Sequence, residues 1–138
     1  MDVLVPIDGS EPSMAALGHA CAEYPDATLT VLYVSNVAAG ENRLMAGGSF
    51  AEWKATEESF ATELFERVSE RAGEAGATVD TVHEFGDPIR FIIRYAEAHD
   101  VDQIVIGNHG RDGMARLALG SVAERVVRAA PMPVVVVK

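Results

Sequence analysis

Residues 101–121 of the chain read VDQIVIGNHGRDGMARLALGS. The mainly apolar run Val101–Ile106 leads directly into residues 107–121, which contain four glycines and end on a serine. Glycine loses more conformational entropy on folding than other residues, so glycines between a strand and a helix indicate a sharp turn or a ligand that lies against the backbone. This stretch predicts a buried strand followed by a loop with a structural or ligand-binding task.

The same alternation of apolar runs and helical patterns extends over the whole chain. Short apolar or β-branched runs predict strands, and apolar residues three or four apart predict helices. The expected strands are Asp2–Asp8, Ala27–Val34, Thr78–Phe85, Val101–Ile106 and a last strand within PMPVVVVK, residues 131–138. Four helices are expected. The first follows Ser10, the second runs from about Phe50 to Ala72, the third begins at Asp87 and the fourth spans Val122–Ala130.

Two helices have clear start signals, whereas one segment has no clear period. Ser10 is expected to cap the first helix, with Pro12 in its first turn, and Asp87 to cap the third, with Pro88 at its first position. Residues 35–50, SNVAAGENRLMAGGSF, contain three glycines. We expect a long loop there.

The order βαβαβαβαβ predicts one doubly wound α/β domain over residues 1–138. Strands that alternate with helices favour parallel pairing through right-handed crossovers, with helices on both faces of the sheet. With five strands we expect the order 3-2-1-4-5, and ligands bind at the carboxyl ends of strands where the winding direction reverses. The segments PIDGS (6–10) and GNHG (107–110), which follow strands 1 and 4, should therefore face one crevice.

The glycines of this crevice favour a phosphate ligand. Gly107 and Gly110 open the loop, and Gly120 and Ser121 close it at a helix start. Backbone N–H groups can approach a ligand closely at glycine, and a helix N-terminus attracts anions. The chain has no G-x-x-x-x-G-K-[ST] sequence and no G-x-G-x-x-G after its first strand. It is therefore neither a P-loop NTPase nor a common dinucleotide-binding protein.

The spacing G-x2-G-x9-G-[ST], formed by Gly107, Gly110, Gly120 and Ser121, resembles the ATP-binding signature of the universal stress protein family. Three flanking segments are similar to that family in the same order: VLVPIDGS (3–10), GDPIRFIIRYAEAHDVDQIVIGNHG (86–110) and LGSVAERVVRAAPMPVVVVK (119–138). The resemblance covers the whole chain. It implies a Rossmann-like fold of the adenine nucleotide alpha hydrolase type.

The resemblance also implies a role for each residue that matches an ATP-binding member. Asp8 would lie near the ribose and adenine, and near a divalent cation, Mg²⁺ or Mn²⁺, that accompanies the nucleotide. Pro6 and Ile7 would line that wall, and Val34 would contact adenine through its backbone. The residues that would wrap the ribose and the phosphates of ATP, ADP or AMP are Gly107, Asn108, His109, Gly110, Arg111, Gly120, Ser121 and Val122.

Several of these residues also have plainer structural interpretations. Asp8 can form an Asx turn or cap the first helix, and Ser121 with Glu124 matches a capping box. His109 can be a solvated loop residue, and Arg111 can pair with surface carboxylates rather than with phosphate. No second histidine, cysteine or carboxylate stands at metal-ligand spacing from His109, which argues against a zinc site.

The charge of the chain is strongly negative. Its 138 residues include 11 basic and 21 acidic ones, for a formal net charge of −10. Phosphate neutralisation drives binding to nucleic acid, so we expect no nucleic-acid partner. Only Lys54 and Lys138 are lysines. This acidic, lysine-poor composition is typical of a halophilic, high-salt cytoplasm or of an ordinary acidic cytosolic protein.

The sequence predicts a cytoplasmic protein without a membrane partner. Its start, MDVLVPIDGS, lacks the basic and long apolar regions of a signal peptide, and no apolar run is long enough to span a bilayer. Cys21 is the single cysteine, so a disulfide within one chain is excluded. That cysteine usage fits a reducing compartment.

The last strand predicts a second copy of the chain as a partner. It would lie at an edge of the sheet, and the run Pro133–Lys138 carries no charge before Lys138. An exposed apolar edge is a template for aggregation. Pairing with the same strand of a second chain removes that edge and gives a two-fold homodimer, which the family resemblance also implies.

Three functions are compatible with these features. The first is an ATP-binding, dimeric regulator of a stress response. The second is a slow ATPase or autokinase that uses the same pocket, although the chain has no P-loop lysine and no pair of catalytic carboxylates. The third is a dimeric interaction module that binds no nucleotide. The glycine spacing favours the first function.

Overall fold

Strands and helices alternate along residues 1–108 and 119–138, which are the residues that the computed structural model describes. The strands are β1 (Asp2–Pro6), β2 (Thr28–Asn36), β3 (Val79–Gly86), β4 (Gln103–Gly107) and β5 (Val134–Val137). The helices are α1 (Glu11–Glu23), α2 (Val37–Met45), α3 (Phe50–Glu74), α4 (Pro88–Ala98) and α5 (Ser121–Ala129). In this part of the chain, no helix has both the length and the apolar character needed to cross a membrane.

The sheet has the predicted topology. Its order is β3-β2-β1-β4-β5, and all neighbouring strands are parallel. Side chains alternate between two apolar layers: Val5 and Val31 pack in the layer that contains α1 and α3, and Leu4 and Leu32 pack in the layer that contains α4 and α5. Full burial of one such side chain contributes about 1.5–3 kcal/mol, so the two layers fix which face each helix covers.

The predicted caps of two helices are confirmed. Ser10 Oγ accepts a hydrogen bond from the Ser13 N–H at 3.3 Å at the start of α1. Asp87 Oδ1 accepts one from the Arg90 N–H at 3.1 Å at the start of α4, where Pro88 is the first helical residue. These caps satisfy N–H groups that no helical carbonyl reaches, and they fix where the chain leaves β1 and β3.

Residues 35–50 do not form the expected loop. β2 continues to Asn36, two residues further than predicted, and α2 follows at once. Asn36 Oδ1 caps α2 by accepting a hydrogen bond from the Ala38 N–H at 3.1 Å. Gly40 lets α2 pack on α3, because a Cβ at this position would lie 2.7 Å from Trp53 Cζ3. The sequence analysis did not predict this helix, because the three glycines of residues 35–50 indicated a loop.

β5 lies at an edge of the sheet, as predicted. The Ile104 N–H donates to Pro133 O at 3.0 Å, and the Asn108 N–H donates to Val137 O at 2.7 Å. The odd-numbered residues of this segment therefore direct their backbone groups towards β4. Because backbone groups alternate in direction along a strand, the even-numbered residues of β5 direct theirs away from the sheet.

Candidate functional site

A cavity of about 260 Å³ opens at the carboxyl ends of β1, β2 and β4, where the winding direction of the sheet reverses. Its walls also include residues of α1, α4 and the first turn of α5. The described residues that line it are Pro6, Ile7, Asp8, Ser13, Leu32, Tyr33, Val34, Asn36, Pro88, Ile92, Ile106, Gly107, Asn108, Gly120, Ser121, Val122 and Ala123. The cavity thus occupies the position at which open parallel sheets bind ligands.

Nine of the predicted site residues surround this one cavity: Pro6, Ile7, Asp8, Val34, Gly107, Asn108, Gly120, Ser121 and Val122. The remaining predicted residues, His109, Gly110 and Arg111, lie outside the described residues. The fold therefore brings together segments that are far apart in the sequence. Their contacts with a ligand stay predictions.

Part of the cavity wall is apolar. Ile7, Leu32, Ile92 and Ile106 are all buried and line it. Pockets of this kind hold flat or apolar groups, with a few polar groups to fix the orientation of the ligand. An isolated charge against these side chains would lose its hydration without compensation, so a charged part of a ligand belongs elsewhere in the cavity.

Asp8 has a structural task in addition to its place on the cavity wall. Its Oδ1 accepts a hydrogen bond from the Ser10 N–H at 2.9 Å, and its own N–H donates to Ser13 Oγ at 3.3 Å. Gly9 lies between them with a φ of +87°, which glycine adopts without strain. The Asx turn considered for Asp8 is therefore present, and it holds the carboxylate at the cavity.

Gly107 is required by the packing of the protein itself. A Cβ at this position would lie 2.6 Å from the carbonyl carbon and oxygen of Pro12 and 2.8 Å from the Ser13 nitrogen. The backbone at the start of α1 thus crosses the end of β4 at a distance that excludes any side chain. This close approach explains one glycine of the 107–121 stretch without a ligand.

Asn108 joins three elements at the edge of the cavity. It is 4% exposed, and its N–H donates to Val137 O of β5 at 2.7 Å. Its main-chain oxygen accepts a hydrogen bond from the Gly120 N–H at 2.8 Å, and its Oδ1 lies 3.4 Å from the same nitrogen. The start of α5 is therefore fixed against the end of β4.

The capping box predicted at Ser121 is wrong. Gly120 is the N-cap of α5, so Ser121 is the first helical residue and Glu124 lies one position too late for the box. No side chain of the described residues caps α5, whereas Ser10, Asn36, Ser49 and Asp87 cap the other helices. The first-turn N–H groups of α5 belong to residues that line the cavity. Such a helix start can bind an anion.

The prediction missed the contribution of the end of β2. Tyr33 and Asn36 line the cavity, but the predicted strand stopped at Val34. Tyr33 is buried, and its hydroxyl donates to Glu57 Oε1 of α3 at 2.7 Å. Ser35 and Asn36 are polar and carry no strand signal of their own, so the sequence pattern gave no reason to extend the strand beyond Val34.

The fold and the cavity define a doubly wound, Rossmann-like α/β protein with a ligand site at its topological switch point. A model of the universal stress protein family matches residues 1–138, and this chain belongs to that family. Universal stress protein MJ0531 of Methanocaldococcus jannaschii is 36% identical over 138 residues, which cover 99% of this chain and 81% of that protein.

Solved structures of the family have the same architecture. Universal stress protein UspA from Lactobacillus plantarum is 28% identical, with a TM-score of 0.85, over 100% of this chain and 97% of that one. A universal stress protein solved in complex with cAMP is 25% identical, with a TM-score of 0.70, and also covers 100% of this chain and 97% of its own. These likenesses confirm the predicted family and fold.

Proposed function

We propose that this protein binds an adenine nucleotide in the cavity and acts as a dimeric, nucleotide-dependent regulator of a stress response. The observation that carries the proposal is that the first turn of α5, Ser121 to Ala123, lines a cavity with an apolar wall. The helix start suits a phosphate, and the wall suits a purine ring. The relative solved in complex with cAMP supports the same class of ligand.

The family resemblance assigns a part of the nucleotide to each segment. The wall at Pro6 and Ile7 and the backbone of Val34 would hold the adenine, and Asp8 would lie near the ribose. The segments 107–111 and 120–122 would hold the ribose and the phosphates. ATP, ADP and AMP share these groups, so the proposal covers all three.

A divalent cation would accompany the phosphates. Among residues 1–108 and 119–138, no three His, Cys, Asp or Glu side chains are grouped in a way that could hold a metal ion. We propose that Mg²⁺ or Mn²⁺ binds with the nucleotide, with the Asp8 carboxylate as its protein ligand. Hard cations of this kind commonly combine one or two carboxylates with substrate phosphates.

The homodimer would form through β5. Val134 and Val136 direct their backbone N–H and C=O groups away from β4, and the side chains of the strand are half-buried. A second β5 strand would satisfy these groups and cover the apolar edge. The pairing is isologous, since each chain offers the same strand to the other.

The first experiment identifies the ligand. The protein is purified without added nucleotide and denatured, and any released small molecule is identified by chromatography and mass. The emptied protein is then titrated with ATP and Mg²⁺ by calorimetry at several salt concentrations. We expect stoichiometric adenine nucleotide or saturable ATP binding. A folded protein that neither releases nor binds nucleotide would leave the interaction module as the better function.

A matched pair of glycine variants tests the position of the phosphate. Gly120 has φ −63° and ψ 155°, which valine also adopts, so Gly120→Val should fold and place a side chain at the start of α5. We expect at least a roughly tenfold loss of ATP affinity, or about 1.4 kcal/mol. Gly73→Val in α3, where a Cβ meets nothing within 4 Å, should bind ATP normally. Unchanged affinity in both variants would place the phosphate elsewhere.

A further inference from the structure

The end of β2 has two faces with different neighbours. Leu32 and Val34 belong to the apolar layer of α4 and α5 and line the cavity. Tyr33 and Ser35 point the other way, towards α3, and they are 1% and 0% exposed. Whatever supports these two buried side chains therefore also supports the cavity wall directly behind them.

His83 of β3 is the side chain that contacts both of them. Its Nε2 lies 2.8 Å from Ser35 Oγ, within hydrogen-bond distance. Its ring stacks on the Tyr33 ring, with centroids 5.2 Å apart and an interplanar angle of 20°. The Phe85 ring lies on it at a centroid distance of 4.6 Å. The complete burial of Ser35 argues against it as a nucleophile, since a hydroxyl without exposure cannot reach a substrate.

Charged groups approach His83 from two elements. Glu57 and Glu58 of α3 and the adjacent Glu84 of β3 favour the imidazolium, but burial outweighs them and lowers the pKa of His83 below its ordinary value. Nζ of Lys54 of α3 lies over the Phe85 ring, 5.5 Å from its centre. The half-buried imidazole is thus held in its neutral form by its surroundings.

We propose that neutral His83 positions the part of the cavity wall formed by the end of β2, and that protonation of His83 weakens nucleotide binding. This inference rests on the proposed function, since it concerns regulation of the same site. His83 acts through Tyr33 and Ser35 and touches no ligand, so it is a positioning residue.

The mechanism follows from the cost of a buried charge. An imidazolium between two aromatic rings regains hydration when His83 rotates outwards, which the edge position of β3 allows. That movement removes the partner of the fully buried Ser35 hydroxyl and the ring beneath Tyr33. An unpaired buried hydroxyl is unfavourable, so the end of β2, including Val34 and Asn36 on the cavity side, loses its fixed position.

The coupling has a required reciprocal. If protonation of His83 lowers nucleotide affinity, bound nucleotide must raise the acid dissociation constant of His83 by the same factor, which lowers its pKa by the logarithm of that factor. We expect about a fivefold lower ATP affinity at pH 5.5 than at pH 8, which is the lower end of usual couplings between sites. The titration midpoints of His83 measured with and without nucleotide should differ by the logarithm of this coupling factor.

The test compares ATP affinity at pH 8 and pH 5.5 for the wild type, His83→Gln and His99→Gln. Glutamine keeps a hydrogen-bonding group near Ser35 but cannot become charged, and His99 is an exposed residue at the end of α4. Phosphates titrate near pH 6 themselves, so the difference between variants carries the result. We expect H83Q to lose the part of the pH dependence of ATP affinity that does not come from the phosphates, and H99Q to keep it.

Three results would overturn the inference. Equal pH profiles of the wild type and H83Q would do so, and so would a dependence that persists in H83Q but disappears in H109Q. If H83Q does not fold, an NMR titration of the wild-type His83 imidazole decides, and an unchanged midpoint on adding ATP would refute the coupling. Absence of ATP binding at both pH values would instead refute the proposed function, together with the inference that rests on it.

Discussion

The amide of Gly120 donates a hydrogen bond to the main-chain oxygen of Asn108, 2.8 Å away. Since the amide of Asn108 in turn bonds to Val137, this one residue connects β4, β5 and the start of α5. The orientation of α5, and with it the N–H groups that face the cavity, depends on these bonds. The predictions below begin from this connection.

Replacement of Asn108 by alanine should weaken both the fold and the site. The side chain is almost fully buried, and loss of one buried polar group with its partners costs about 1–3 kcal/mol. We expect a lower free energy of unfolding in urea and a lower ATP affinity. Asn42→Ala, on the exposed surface of α2, serves as the control. Because alanine keeps the main-chain bonds of Asn108 to Val137 and Gly120, equal stabilities of the two variants would show that the side chain adds nothing to the connection made by those main-chain bonds.

Gly107→Ala should be strongly destabilising. The new Cβ would meet the backbone of Pro12 and Ser13 at 2.6 to 2.8 Å, and backbone atoms cannot move aside as a side chain end can. Forced overpacking costs about 1–3 kcal/mol or more. Gly73→Ala, which adds the same atom to open space on a helix, should instead stabilise by about 0.5–1 kcal/mol. Urea unfolding of both variants measures the contrast, and equal effects would show that the strand and helix separate easily.

The stability of the protein should rise with pH through the range in which His83 titrates. Burial lowers the pKa of His83 in the folded state against the opposing influence of Glu57, Glu58 and Glu84. The unfolded chain therefore binds more protons just below the ordinary histidine pKa of about 6.5. The contribution of neutral His83 to the free energy of unfolding is complete above this ordinary pKa. It is lost as the pH falls towards the lower pKa that His83 has in the folded state.

Urea unfolding of the wild type and His83→Gln at pH 5.5 and pH 8 isolates this contribution. Both proteins share the titration of the many carboxylates, so their difference reports on His83. We expect the wild type to lose more stability than H83Q between pH 8 and pH 5.5. A larger loss in H83Q would mean that the neighbouring carboxylates outweigh burial and that the sign is reversed.

Val136→Pro should dissociate the proposed dimer while the monomer stays folded. The N–H of Val136 points away from β4, so proline removes a donor from the free edge and keeps the β4–β5 ladder. Sedimentation analysis should show dimers for the wild type and monomers for the variant at the same concentration. Val127→Ser, an exposed position on α5, is the control away from the strand. Monomeric wild-type protein would refute the edge pairing.

The sequence was sufficient for the sheet order and for most of the cavity. Asp87 with Pro88 predicted the start of α4, because helix capping depends on a few neighbouring residues. The polar turns after β1 and β4 predicted one crevice, because strand order places the ends of these two strands side by side. α2 was missed because its glycine-containing segment was interpreted as a loop, whereas Gly40 is needed for the packing of α2 against Trp53. The N-cap of α5 is Gly120 rather than Ser121, and the Gly120 N–H bonds to Asn108, which is distant in the sequence. His83 could not be linked to Ser35, since that contact exists only once β2 and β3 pair.

The alternation of side chains along β2 separates two properties that can be altered independently. Changes at Leu32 or Val34 would reshape what the pocket accepts, and changes at Tyr33 or Ser35 would alter how firmly that pocket is held as acidity varies. A variant library restricted to the first pair would select for ligand preference alone. One restricted to Ser35, which is absent from the cavity lining, would yield proteins of unchanged preference that respond over different ranges of acidity.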